Sequence, residues 1–223
     1  MRGVAILVAT ALLLLAGCGH QVASTSAAGI VTISVASSQQ LSLTVVGDSL
    51  DAGLYATTPQ GGFHGLLVAE LRTLAPVVDR PLSVVGGTSA RALGNAQFPA
   101  GQDLYIIELG TNDVAEVDAG TFRDNYRRLL DRVLAASPQA HLLCVGVWRP
   151  EQISKRFDVI IKDTCETRGG VFRQLADLFD DAELRGPAGR AVFGGKSDDF
   201  HPNDRGHKAI AERLEQAIVV QRI

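Results

Sequence analysis

Ser49 stands where an apolar run ends. The stretch "LSLTVVGDSLDAG" begins at Leu41 as a buried-looking strand and halts on Gly47-Asp48-Ser49, so a hydroxyl sits at the strand's carboxyl end. Near the other end of the chain, "KSDDFHPNDRGH" sets Asp198 three residues before His201, a spacing that brings both side chains to one side of a turn. A carboxylate in that place holds one imidazole nitrogen and fixes the tautomer, leaving the other nitrogen to take a proton from a hydroxyl. Acyl transfer also needs donors for a developing oxyanion, each worth about 3 kcal/mol when preorganised. Candidates are the backbone N–H groups at the glycine pair of "VVGGTSARAL" and the Asn112 amide of "ELGTND".

Each piece has an ordinary alternative. Serine is common in turns, "HPND" reads as a helix start capped by Asn203 or Asp204, and Gly-Thr-Asn-Asp is a good turn sequence. Other chemistries fit less well. There is no G-x-S-x-G elbow. His201, His207, Asp198, Asp199 and Asp204 lie close together without a standard zinc spacing, so no metal is expected. The glycine loop lacks the Lys-Ser/Thr ending of a phosphate-binding loop.

Elements able to position these residues follow from the hydrophobic pattern. Strands are expected at Leu41–Val46, Leu82–Val85, Leu104–Leu109, Leu142–Val147 and Val171–Leu175, apolar on both faces as in a parallel sheet covered by helices. Helical patterns occupy Gly65–Leu74, Thr121–Ala136, Ile153–Arg168 and Asp204–Val220. The alternation implies a three-layer, doubly wound α/β domain with right-handed crossovers. In the flavodoxin-like strand order 2-1-3-4-5, ligands collect where the order reverses, beside "GDSLDAG" and "GTNDVAE".

Ser49 in "GDSL", a glycine after the second strand, Asn112 in "GTND" and His201 in "DDFHP" together resemble the four blocks of the SGNH hydrolases, the GDSL esterases and lipases. The resemblance runs from about Leu41 to the last helix. It implies Ser49 as nucleophile, His201 as base and later acid, Asp198 as its orienting carboxylate, and an oxyanion hole from the N–H groups of Ser49 and Gly87 with the Asn112 side chain. Gly86 competes with Gly87, because the doublet leaves the register open. The family fold is a five-stranded parallel sheet between helices. The reaction implied is hydrolysis of a carboxylic ester through an acyl-enzyme, with no cofactor. The natural substrate is expected to be a short-chain or O-acetyl ester, on an envelope glycan or lipid. An acyltransferase on the same scaffold shares that intermediate, and a non-catalytic envelope-binding lipoprotein is the remaining alternative.

Around these blocks, Asp51 stands where many relatives carry Ser or Thr and is expected to be a solvated turn residue. Asp48 is expected to brace its own loop. Glu108 interrupts an apolar strand, so it must be paired, hydrogen-bonded or protonated. The loop "VWRPEQ" borders the same crevice by topology, which makes Trp148 and Arg149 candidate substrate contacts; the alternative for Trp148 is packing under a loop.

The chain has 223 residues, enough for one domain. Its 46% hydrophobic and 20% charged residues are ordinary for a folded protein, and a net charge of −3 offers no broad basic surface for nucleic acid. A monomer is expected. Arg2 precedes an apolar run from Val4 to Ala16, too short for a permanent membrane helix, and the run ends in "LAGC". This resembles a bacterial lipoprotein signal, with residues 1–17 removed and Cys18 carrying lipid. Residues 18–40 then form a flexible spacer, in which "IVTISV" can add an edge strand, and residues 41–223 form the hydrolase domain. The protein is expected to be exported, anchored to the outer face of the bacterial cytoplasmic membrane or to the outer membrane. An exported compartment permits Cys144 and Cys165 to pair, and two buried free thiols are the alternative.

Overall fold

The structure, a computed structural model, describes residues 29–95 and 97–223. The expected signal peptide, Cys18 and the first part of the spacer lie outside the described residues. Strand β1 (Val31–Val35) comes first, followed by β2 (Leu41–Gly47), α1 (Phe63–Leu74), β3 (Val77–Asp79), β4 (Leu82–Ser83) and α2 (Ser89–Asn95). The middle of the chain holds β5 (Leu104–Glu108), α3 (Asp113–Glu116), α4 (Ala119–Ala136), β6 (His141–Val145), α5 (Glu151–Glu166), β7 (Val171–Arg173) and α6 (Ala176–Asp180). A small hairpin of β8 (Ala191–Val192) and β9 (Gly195–Lys196) precedes α7 (Asp204–Glu215) and β10 (Ile218–Arg222).

The main sheet is parallel, in the order β3-β2-β5-β6-β7, with β4 also paired to β2. This is the expected fold class and order, with the second position filled by two short strands. Pro81 lies between them and has no N–H to give the ladder. Beyond Ser83 the chain turns outward, so Val84 and Val85 are 52% and 61% exposed instead of continuing the expected strand.

Alternate strand residues feed two cores. Leu43, Val45, Ile106, Leu143 and Val145 pack against α1 and α7 on one face. Val46, Tyr105, Ile107, Leu142 and Cys144 pack against α4 and α5 on the other. Each central strand is therefore apolar on both sides, as the sequence pattern requires.

Two elements depart furthest from expectation. The strand that "IVTISV" allows within the expected spacer forms, but Val31, Ile33 and Val35 alternate inward and pair in parallel with β10 in a separate two-stranded sheet, not at the edge of the main one. The last helix ends at Glu215, five residues early, since the β-branched run Ile218-Val219-Val220 joins β1 as a strand. Asn203 caps α7, its side-chain oxygen accepting from the N–H groups of Arg205 and Gly206 at 3.0 and 3.1 Å.

Cys144 of β6 and Cys165 of α5 are disulfide-bonded, with their Cα atoms 6.3 Å apart. Closing a loop of this size restricts the unfolded chain by roughly 3 kcal/mol. A Cys144→Ala, Cys165→Ala double variant should lose about that much unfolding free energy in a urea titration. An unchanged midpoint would show that the bond contributes nothing.

Candidate active site

Three loops at the carboxyl ends of β2, β4 and β5 meet the turn before α7. After β2 the chain must make an abrupt turn, and Gly47 permits it: a Cβ there would lie 2.3 Å from the Asp51 Cβ and 3.0 Å from Glu108 Oε2. Ser49 follows, only 5% exposed. Its Oγ lies 3.1 Å from His201 Nε2, and His201 Nδ1 lies 2.8 Å from Asp198 Oδ2. A carboxylate only accepts, so Nδ1 carries the proton and Nε2 is left to accept one from Ser49.

Asp198 is itself held. Burial opposes its ionisation, but hydrogen bonds from the His201 N–H and imidazole and from the Phe200 N–H outweigh it, keeping the carboxyl below its ordinary range. Trp148 fixes the same turn from below: its indole N–H donates to the Phe200 carbonyl at 2.9 Å. The indole is 0% exposed, so Trp148 is not a substrate contact; its large apolar ring belongs to the core beneath the loop. Arg149 remains at the rim, stacked 4.5 Å over the Phe200 ring and donating to the Thr111 carbonyl at 3.3 Å.

Asn112 ties the loops together, donating to Asp48 Oδ2 and to the Gly87 carbonyl, both at 2.9 Å. Asp113 next to it accepts from the Ser89 N–H at 3.0 Å, which fixes the start of α2. The glycine register differs from the one expected. The Gly87 N–H is engaged by the Val84 carbonyl at 2.6 Å. Gly86 adopts φ 72°, a left-handed conformation suited to glycine, and its N–H has no hydrogen-bond partner among the described residues. The Ser49 N–H is likewise unpartnered there.

Beneath the loops lies a cluster of charges. Asp48 accepts from the Leu50 N–H at 3.0 Å, bracing its own turn, and its N–H donates to Glu108 Oε2 at 3.2 Å. Burial, opposed in part by the Leu50 bond, raises Asp48 to about 7. Complete burial and then the nearby Asp48 charge push Glu108 well above its ordinary value, so this acid stays protonated and supports the loop from behind.

Asp51 is not the solvated turn residue expected. It is buried, with Oδ1 2.7 Å from His64 Nδ1 and Oδ2 accepting from the Ser83 hydroxyl. His64 Nε2 contacts Asp79 Oδ2 at 2.9 Å. Burial alone would lower the His64 pKa, yet the two carboxylates raise it to about 10. An imidazolium therefore links the Ser49 turn, through Asp51 and Ser83, to β3 and β4. His207 behaves oppositely: burial lowers it to about 4, and as a neutral ring it accepts from the Phe63 N–H and donates to the Leu54 carbonyl, each at 3.2 Å. Sequence reasoning missed His64, Asp79, Ser83 and Tyr55, whose ring edge meets His201 at 4.9 Å. Only the period of α1, which turns His64 inward with Leu67 and Leu71, hinted at any of them.

Among the described residues, no group of three or more His, Cys, Asp or Glu side chains is arranged to hold a metal, and no helix is long and apolar enough to cross a membrane.

Because His64 titrates higher folded than its ordinary 6.5, its contribution to stability is whole below about pH 6.5 and is lost as pH rises through about 10. Urea midpoints measured between pH 7 and 10.5 should fall for the wild type more steeply than for His64→Gln. Parallel curves for the two proteins would contradict a charged His64.

Residues 45–209 match the GDSL-like lipase/acylhydrolase family. No match occurs among curated proteins. Among solved structures, the psychrotrophic esterase EstA from Pseudoalteromonas sp., crystallised with monoethylphosphonate as inhibitor, is 20% identical with a TM-score of 0.64, over 79% of this chain and 95% of that one. An extracellular lipase from Streptomyces rimosus is 15% identical with a TM-score of 0.62, over 79% of this chain and 99% of its own. A two-domain esterase active on acetylated mannans is 18% identical with a TM-score of 0.59, over 79% of this chain and 48% of its own. The strand order, the loop geometry and a family match covering most of the sequence lead to one conclusion: this chain belongs to the GDSL-like lipase/acylhydrolase family.

Proposed function

We propose that the protein is a serine esterase that cleaves short-chain or O-acetyl esters through an acyl-enzyme on Ser49. The observation that carries this reading is the relay Asp198–His201–Ser49, two hydrogen bonds of 2.8 and 3.1 Å in line. Ser49 Oγ attacks the ester carbonyl carbon while its proton passes to His201 Nε2. The carbonyl oxygen becomes an oxyanion, received by the free N–H groups of Ser49 and Gly86; Asn112 joins them by exchanging the Gly87 carbonyl for the new anion. Collapse breaks the bond to the alcohol, which takes the proton from His201. Water then attacks the acyl group by the same route and Ser49 is regenerated. No step calls for a cofactor.

The reading extends to location. An N-terminal apolar run ending in "LAGC" favours an exported lipoprotein held by Cys18 on the outer face of a bacterial cytoplasmic membrane or on the outer membrane. The Cys144–Cys165 disulfide fits an oxidising compartment. The mannan-active esterase among the structural neighbours favours an acetylated glycan as substrate.

Ser49→Ala should abolish labelling by an organophosphonate and lower kcat on p-nitrophenyl acetate by at least about 10^4-fold, with an unchanged unfolding midpoint. Asp198→Asn should lower kcat by about 10^3-fold or more through loss of the tautomer. Retained labelling of Ser49→Ala at the wild-type rate would remove Ser49 as nucleophile. Cys18→Ala should move the protein from membrane to soluble fractions; unchanged membrane association would refute the lipid anchor.

A further inference from the structure

The proton that His201 gives to the departing alcohol sets where that alcohol lies. Its oxygen must come within hydrogen-bond reach of Nε2, so the body of the alcohol occupies the space on the His201 side of Ser49. A cleft of about 200 Å³ borders His201, lined also by Tyr55, Thr57, Arg190, Asp204 and Arg205 among others. It adjoins a second cleft of about 540 Å³ that shares Arg190, Asn203 and Arg205.

The wall is held in shape. Arg190 leads into the β8–β9 hairpin, where its N–H donates to Ser197 Oγ at 3.1 Å and its carbonyl accepts from the Ser197 N–H at 2.9 Å. The hairpin is bonded in turn to the Tyr55 loop: Tyr55 N–H donates to Phe193 O at 3.1 Å and Phe193 N–H to Ala56 O at 2.9 Å. Tyr55 itself adopts φ 68°, unusual for a residue with a Cβ, and such backbone strain collects at functional sites.

Charge in the two clefts is unevenly committed. Asp204 accepts from the Thr57 N–H and hydroxyl at 2.7 and 2.5 Å, Asp199 from the Ala188 N–H at 2.8 Å, and Glu183 pairs with Arg205 at 3.0 Å. Arg185 donates to the carbonyls of Phe179 and Asp199. The Arg190 guanidinium and the Tyr55 hydroxyl have no hydrogen-bond partner among the described residues. Every carboxylate lining the clefts is thus engaged, while the exposed Arg190 guanidinium, on the cleft that His201 also lines, is available, and that group suits a carboxylate or phosphate in bidentate geometry.

We propose that the cleft beside His201 receives the alcohol part of the substrate and that Arg190 selects alcohols that bear hydroxyls and a negative charge. This deepens the serine esterase reading and rests on it. Two sources supply such an alcohol, an acidic sugar and a polyol phosphate, and matched acetyl esters separate them: methyl glucoside against methyl glucuronide, and glycerol against glycerol phosphate. The acyl group is the same throughout, so differences report the alcohol side. At least one charged member should exceed its neutral partner about tenfold in kcat/KM. That ratio should collapse toward one in Arg190→Ala, recover in part in Arg190→Lys, and shrink as salt rises from 50 to 500 mM. A ratio near one in the wild type, or one unchanged by Arg190→Ala, overturns the proposal while p-nitrophenyl acetate turnover and phosphonate labelling of Ser49 leave the esterase reading standing. Absence of both turnover and labelling overturns the esterase reading and this proposal with it.

Discussion

The hydrogen bond from Ser49 to His201 joins residues 152 positions apart, and it forms only if two turns built independently arrive within 3.1 Å of each other. One turn is set by the end of β2 and the lack of a side chain at Gly47. The other is set by the capped start of α7 and by the Trp148 indole holding the Phe200 carbonyl. Between them lie the parallel sheet and the two helices, α1 and α7, that pack on one face of it. Neutral His207, bonded to both the Leu54 carbonyl and the start of α1, locks the two turns to a common frame.

The price of that precision is charge in the interior. Asp48, Asp51, Glu108 and Asp113 are all buried around the Ser49 turn, where an unpaired carboxylate is strongly disfavoured. Each is accommodated in a different way: Asp48 by the Leu50 N–H and Asn112, Asp113 by Ser89, Asp51 by a charged imidazole, and Glu108 by keeping its proton. A hydrophobic filling would hold the sheet together equally well, but it would not orient these loops by directional bonds.

Much of this was legible in the sequence because strand ends and short motifs are local. "GDS" ends a strand, Asp198 and His201 are neighbours on a turn, and the βα alternation fixes which loops share an edge. What was not legible depends on distant partners. Val84 and Val85 have strong strand propensity, yet Pro81 breaks the ladder and the following glycines turn the chain outward. Trp148 and Arg149 are adjacent in a loop, and only the packing beneath it sends one inward and the other to the rim. Asp51 resembled a turn residue until α1 brought His64 to it from thirteen positions away. Gly86 and Gly87 could be told apart only by which N–H the Val84 carbonyl takes.

The parallel pairing of β1 with β10 has a bearing on how the protein is made. A ribosome delivers Val31 long before Ile218, so the first strand waits without its ladder until β10 has emerged. Asp198 and His201 arrive in the same closing stretch. The nascent polypeptide therefore carries Ser49 without its imidazole partner until the turn before α7 and the strand that follows it have both emerged.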